Sequence, residues 1–199
     1  MLRTLTRKKF LLSAGGAVAA AAAGGAAMGG LGAIASARSA PSREQDLRIL
    51  GFLLGLERIE LAFYERALDA GALRGELAEF AGAALTHERD HVATLGTSLG
   101  AAEAASAVRF DIGDAFTDRR AFVAKAVALE DAAVAAFNGQ ITNLTAERLP
   151  AACAIVSVDA RHAAWIRDIG NLPPAAGATD APLTAPDVRT LLQSHGLLA

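Results

Sequence analysis

A single cysteine stands among the 199 residues, which excludes an internal disulfide and any metal cluster held by cysteine. Its neighbours Ala151, Ala152, Ala154 and Ile155 mark Cys153 as a small buried filler rather than a reactive thiol. Excess charge of one sign is missing too. Nineteen basic against 21 acidic residues leave a net charge of −2, which argues against nucleic acid or an anionic membrane surface as partner. Strand patterns are absent: β-branched residues are scattered, and no alternating run is bounded by turns. Beyond the N-terminus no apolar run reaches about 18 residues, so no membrane span is expected there. The chain also lacks a phosphate-cradling loop, a nucleophile–base pair and a cofactor-binding loop.

What is present begins with an address. Arg3, Arg7, Lys8 and Lys9 form a basic start, Leu11 to Ile34 a weakly apolar Ala/Gly stretch, and Ala35-Ser36-Ala37 a small-residue cleavage signal. This stretch supplies much of the mean hydropathy of +0.33, yet its glycine content makes it a poor anchor helix. Thr6–Leu12 (T-R-K-K-F-L-L) resembles a twin-arginine export signal, with Lys8 where the second arginine normally stands. The expected division is therefore an export signal over 1–37 and one folded domain over 38–199, exported to a periplasmic or other extracytoplasmic space.

The mature part reads as helix almost throughout. Apolar residues recur at helical spacing from Glu44 to Ala70, from about Arg74 to Leu99, from about Asp118 to Leu144, and from Pro150 to Ile169. Thr184-x-x-Asp187, with Pro186 between, starts a short terminal helix to about Ser194. Short links make the first two helices one hairpin and the last two another. The middle link, about 16 residues, is long for a compact domain. Extended, it reaches roughly 50 Å, more than the roughly 37 Å of a 25-residue helix. The architecture implied is all-α: a four-helix bundle with a long crossover between helices two and three and a short C-terminal helix.

Two of the four histidines follow an acid by three residues. Glu88 precedes His91 on helix two, and Asp159 precedes His162 on helix four; positions i and i+3 share a face, so both side chains can reach one point. Alone such a pair is a weak signal, and the face it occupies adds more. Ala81, Ala84, Leu95 and Leu99 line the stripe of the first pair, and Ile155, Ile166 and Ile169 that of the second. Glu57 between Leu53/Leu54 and Leu61, and Glu130 between Val127 and Val134, repeat the oddity on helices one and three. Acids on an apolar stripe are costly unless they are paired or bind a metal, and neither Glu57 nor Glu130 has Lys or Arg at i±3 or i±4.

The halves look duplicated. Glu57, Leu61 and Tyr64 align with Glu130, Val134 and Phe137, and Glu88, His91 and Leu95 with Asp159, His162 and Ile166. Glu60, a rival on helix one, aligns with Ala133, so Glu57 is preferred as ligand with Glu60 as the alternative. Four carboxylates and two imidazoles from four helices form a hard O/N set suited to two divalent Fe or Mn ions, with O₂ or peroxide as further partners. His87, about 100° from Glu88 on the wheel, reads as a rim residue, and Asp90 and Asp131 as solvated charges. Tyr64 fits equally a core aromatic and a partner of a metal-binding carboxylate.

L-E-R-I-E-L-A-F-Y, H-E-R-D-H, A-L-E-D-A-A-V-A-A-F, V-D-A-R-H-A-A-W-I-R and the tail D-A-P-L-T together resemble the bacterial and plant ferritin-like domain proteins that include desiccation-related proteins. The likeness covers most of Arg48–Leu192. It implies metal-ligand roles for Glu57, Glu88, His91, Glu130, Asp159 and His162. Asp159 stands in place of the usual Glu, and Phe137 where a Tyr often appears. The alternative is a non-catalytic stress or desiccation-related scaffold with a vestigial site; a storage cage, or any other homo-oligomer, is a further option on which the sequence is silent.

Overall fold

The computed structural model describes residues 40–100, 116 and 118–198. Five α-helices and no strand occur among them: α1 Arg43–Asp69, α2 Glu76–Leu99, α3 Arg119–Gln140, α4 Leu149–Ile169 and α5 Ala185–Ser194, with a 3₁₀ turn at Ile141–Asn143 after α3. Residues 1–37, expected as an export signal, lie outside the described residues. So does nearly all of the link from α2 to α3. Among the described residues no helix is long and apolar enough to cross a membrane.

Local chemistry sets the helix ends. Ser42 accepts from the Gln45 amide at 3.2 Å, with Glu44 and Asp46 in the first turn of α1, where the helix dipole favours acids. Asp118 opens α3 by accepting from the Ala121 amide at 2.7 Å. Thr184 and Asp187 form a reciprocal capping box at α5. Helix α2 starts two residues later than the periodicity suggested. Gly75 sits at φ 57°, and Arg74 turns back so that its Nη1 donates to the carbonyls of Gly71 at 2.5 Å and Leu73 at 2.7 Å.

Cross-helix contacts fix the directions. Glu57 and Glu65 of α1 face His91 and Arg89 of α2, and Arg119 and Glu130 of α3 face Ile169 and His162 of α4; both pairs are antiparallel. Asp46 accepts from the amide and hydroxyl of Thr145, at 2.9 and 2.6 Å, while Phe63 stacks on Phe122 with centroids 5.3 Å apart. Thus α1 is also antiparallel to α3, so α2 and α3 run parallel, and Leu99 and Arg119 lie at opposite ends of the bundle. Their separation gives the reason a long link is needed. Asp131, expected as a solvated charge, is instead half-buried in an ion pair of 2.8 Å with Arg167.

The core runs between the two hairpins and gathers most of its aromatics on one side of the middle. Phe63, Tyr64, Phe80 and Phe122 are fully buried and meet mostly edge to face, Tyr64 on Phe80 at 5.6 Å and Phe80 on Trp165 at 5.4 Å. Such pairs add about 0.5–1.5 kcal/mol each beyond the area they bury. Cys153 is exposed, against expectation. The buried stripe of α4 runs through Ala152, Ile155, Asp159, His162 and Ile166, and one residue after Ala152 the helix has turned about 100° away from it.

The chain's end is strapped tightly across α3. The Leu183 amide donates to the Ala135 carbonyl at 2.9 Å, and Val188, Leu192 and Leu197 are fully buried behind it. At this crossing a Cβ on Gly139 would sit 2.0 Å from the Leu183 carbonyl oxygen, a backbone atom that cannot swing aside. Gly139→Ala is therefore expected to destabilise by about 1–3 kcal/mol, as overpacking does, and to lower Tm by roughly 3–10 °C. Gly51→Ala, on α1 with nothing within 4 Å of the added carbon, should raise Tm instead. A thermal melt of the two variants beside wild type checks both signs, and an unchanged Tm for Gly139→Ala would rule out the tight crossing.

Candidate metal centre

Each of the four long helices turns acidic or imidazole groups into the core at one level. Helix α1 contributes Glu57 and Glu60, one turn apart, and α2 Glu88 and His91; α3 contributes Glu130, and α4 Asp159 and His162. None is more than 7 % exposed. All six residues singled out in the sequence fall in this cluster, with Glu60 beside them.

The imidazoles stand between the carboxylates and both present Nδ1. His91 Nδ1 is 3.1 Å from Glu57 Oε2, 3.1 Å from Glu88 Oε2 and 3.4 Å from Asp159 Oδ1. His162 Nδ1 lies 3.2 Å from Glu88 Oε1 and 3.6 Å from Glu130 Oε2. Two sets of donor atoms, each within 4.8 Å of one another, result: Glu57, Glu88, His91 and Asp159 in one, Glu88, Glu130 and His162 in the other. Glu88 belongs to both. The duplicated sequence suggested two equal halves, but Asp159 joins only the first set; its side chain is one methylene shorter than that of Glu88, its counterpart.

Electrostatics leave this cluster short of positive charge. Burial, then the charges of Asp159 and Glu60, hold the Glu57 carboxyl well above its usual range. Burial followed by Glu88 and Glu130 does the same to Glu60 and to Asp159, and burial also raises Glu130 despite His162. Glu88 goes the other way. Burial alone would raise it, but the imidazoles of His162 and His91 close beside it outweigh that and take it down to about 2. His162 is the complement: burial disfavours its cation, yet Glu130 and Glu88 bring it up to about 10.

The donors are also short of partners. Glu57 Oε1, Glu88 Oε1, Glu130 Oε2, both oxygens of Asp159 and of Glu60, and His162 Nδ1 are buried without a hydrogen bond. The His162 Nδ1–Glu88 Oε1 approach brings together two of these atoms at contact distance without hydrogen-bonding alignment. Buried polar atoms are rarely left so. A carboxylate-rich set with neutral imidazole nitrogens is what Fe(II) or Mn(II) takes, and two divalent charges would offset four carboxylates in a dry core. The donor set fits metal ions.

The nearest surroundings orient these groups. The Tyr64 hydroxyl, fully buried, donates a short hydrogen bond to Glu130 Oε1, which leaves Oε2 to face His162. Burial, then Glu130, raises the phenol well above its usual range, so it stays a donor. Phe137, the aligned residue in the other half, has no hydroxyl for this task. Trp165 Nε1 donates to Glu76 at 2.9 Å, and its ring packs on Phe80 near the cluster.

A model of the ferritin-like domain matches residues 45–171, more than half of the chain, from the first turn of α1 to just past α4. This chain belongs to the ferritin-like domain family. The matched region holds all of the buried donors and stops short of α5. No curated protein matches the chain.

Sequence reasoning placed His87 on the rim and missed its contact with the cluster. His87 is exposed, as a rim position should be, yet its Nδ1 is 2.8 Å from His162 Nε2. The signal was there in its spacing from His91 rather than from Glu88: four residues on, a helix has turned only about 40°.

Proposed function

We propose that the ferritin-like domain, exported by the N-terminal signal and beginning at Arg38, holds a dinuclear iron or manganese centre that acts on O₂ or peroxide. The observation that carries this reading is Glu88, one carboxylate common to two donor sets. Glu57, His91 and Asp159 would hold one ion and Glu130 and His162 the other, with Glu88 within reach of both. Export is supported by the basic start, apolar stretch and Ala35-Ser36-Ala37 of the sequence.

Two such ions would supply the electrons and the Lewis acidity that O₂ or peroxide chemistry needs. The chain's own residues do the rest. Tyr64 holds the Glu130 carboxylate by one oxygen and leaves the other turned inward. Phe63, Phe80 and Phe122 shut bulk water out on that side, which strengthens every charge interaction within. Glu60, buried with both oxygens unpartnered, adds a carboxyl able to carry a proton next to the site.

The test starts from the full chain expressed in a bacterium that has both the twin-arginine and the general secretory export routes. The exported protein should begin at Arg38 and take up about two Fe(II) per chain under anaerobic loading. Admitting air should then oxidise the iron faster than buffer alone, seen as a rising near-ultraviolet ferric band. A folded protein that stays metal-free after loading would sink the dinuclear reading and leave a scaffold role.

A further inference from the structure

We propose that His87 is a positioning residue, the outer partner that accepts from Nε2 of His162 and holds its Nδ1 toward the metal position shared by Glu88 and Glu130. The inference rests on the dinuclear reading above. It concerns a residue outside both donor sets.

The geometry is that of a directed hydrogen bond. The two imidazole planes are 6° apart and their centroids 5.1 Å, which equals the 2.8 Å contact plus one ring radius at each end. The rings therefore lie in line, nitrogen to nitrogen, and not face to face. An imidazole lone pair lies in the ring plane, so coplanar rings in line point the His87 lone pair along the His162 N–H.

The direction of the bond follows from His162. Its Nδ1 faces Glu88 and Glu130, so a metal bound there takes the Nδ1 lone pair and leaves the proton on Nε2. His162 then donates and His87 Nδ1 accepts, with the His87 proton on Nε2 toward solvent. An imidazole ligand is commonly fixed in tautomer and orientation by such an outer partner, and losing one typically costs about 10–100-fold in metal affinity.

The duplication makes the prediction sharper. His87 precedes Glu88 by one residue, and the matching position before Asp159 is Val158, which can accept nothing. His87 therefore serves one of the two metal positions, the one with three donors instead of four. The smaller set is where orientation counts most.

The experiment is a Co(II) titration of the exported protein, followed by d–d absorption, for wild type, His87→Ala and His87→Gln. Wild type should fill two positions. His87→Ala should fill one unchanged and the other about 10–100-fold more weakly, and His87→Gln, whose Oε1 can accept from His162, should recover most of the loss. The same variants in metal-free form, labelled with ¹⁵N, give a readout that needs no metal: a slowly exchanging His162 Nε2–H present in wild type and lost in His87→Ala. Equal Co(II) binding by His87→Ala and wild type overturns the inference, as does a His87→Gln no better than His87→Ala. Wild type that binds no Co(II) overturns the dinuclear reading itself, and that failure is recognised by the Nε2–H signal persisting.

Discussion

Glu88→Gln should empty both metal positions, while Asp159→Asn empties only one. Glu88 is the one side chain in both donor sets, with Oε1 on the His162 side and Oε2 on the His91 side, whereas Asp159 belongs to the His91 set alone. Removing a partner one step outside a metal site typically costs about 10–100-fold in affinity, so removing a carboxylate that touches both positions should exceed roughly a hundredfold at each. Gln keeps the volume of Glu, which avoids a cavity in a core this tight. Metal analysis after Mn(II) loading and gel filtration, with circular dichroism to verify helicity, separates the cases: about two ions per chain for wild type, one for Asp159→Asn, none for Glu88→Gln. Two ions retained by Glu88→Gln would mean that the sets do not share this carboxylate.

How much of this was legible beforehand depended on periodicity. The helices and their short terminal successor follow from apolar spacing and caps, and their observed ends differ by a few residues where local chemistry intervenes, as at Gly75 and at the 3₁₀ turn after Gln140. The inward placement of Glu57, Glu88, Glu130 and Asp159 was legible because each interrupts an apolar stripe, and the duplication favoured Glu57 over Glu60. Glu57 does contact His91, but Glu60 is equally buried, which one helix wheel cannot tell apart. Contacts between helices were out of reach. The bond of His87 to His162 requires α2 and α4 to meet at that level, and the ion pair of Asp131 with Arg167 requires the same of α3 and α4. Cys153 was misplaced because its neighbours were weighed by type alone; alanine is as much at home on an exposed helix face as in a core. The unequal donor sets hang on the reach of one methylene at Asp159, a difference the alignment of halves treats as a match.

Freed of metal, the protein should melt at a falling temperature as pH rises from about 5.5 to 9, and metal should reverse that trend. Glu57, Glu60 and Asp159 hold their protons more tightly folded than unfolded. Above the ordinary carboxyl range of about 4 the folded chain therefore binds more protons than the unfolded one, and stability falls with pH. His162 acts with the same sign. Its folded pKa of about 10 against an ordinary 6.5 contributes stability that is complete below 6.5 and is lost as pH climbs through about 10. Glu88, held at about 2, contributes above its ordinary value and is lost only in acid, outside this window. Bound divalent ions take the place of those protons, and their affinity grows as the ligands ionise. At a thousandfold excess of free metal over Kd, each position adds about 4 kcal/mol, and a domain of this size gains about 2–4 °C per kcal/mol. Two filled positions should thus raise Tm by roughly 15–30 °C near neutral pH, and the gap should widen toward pH 9. Scanning calorimetry with chelator and with excess Mn(II), at three pH values, reads both slopes. A metal-free Tm that climbs with pH would contradict the crowded, proton-holding carboxylates, and a Tm indifferent to Mn(II) would remove the metal from the centre.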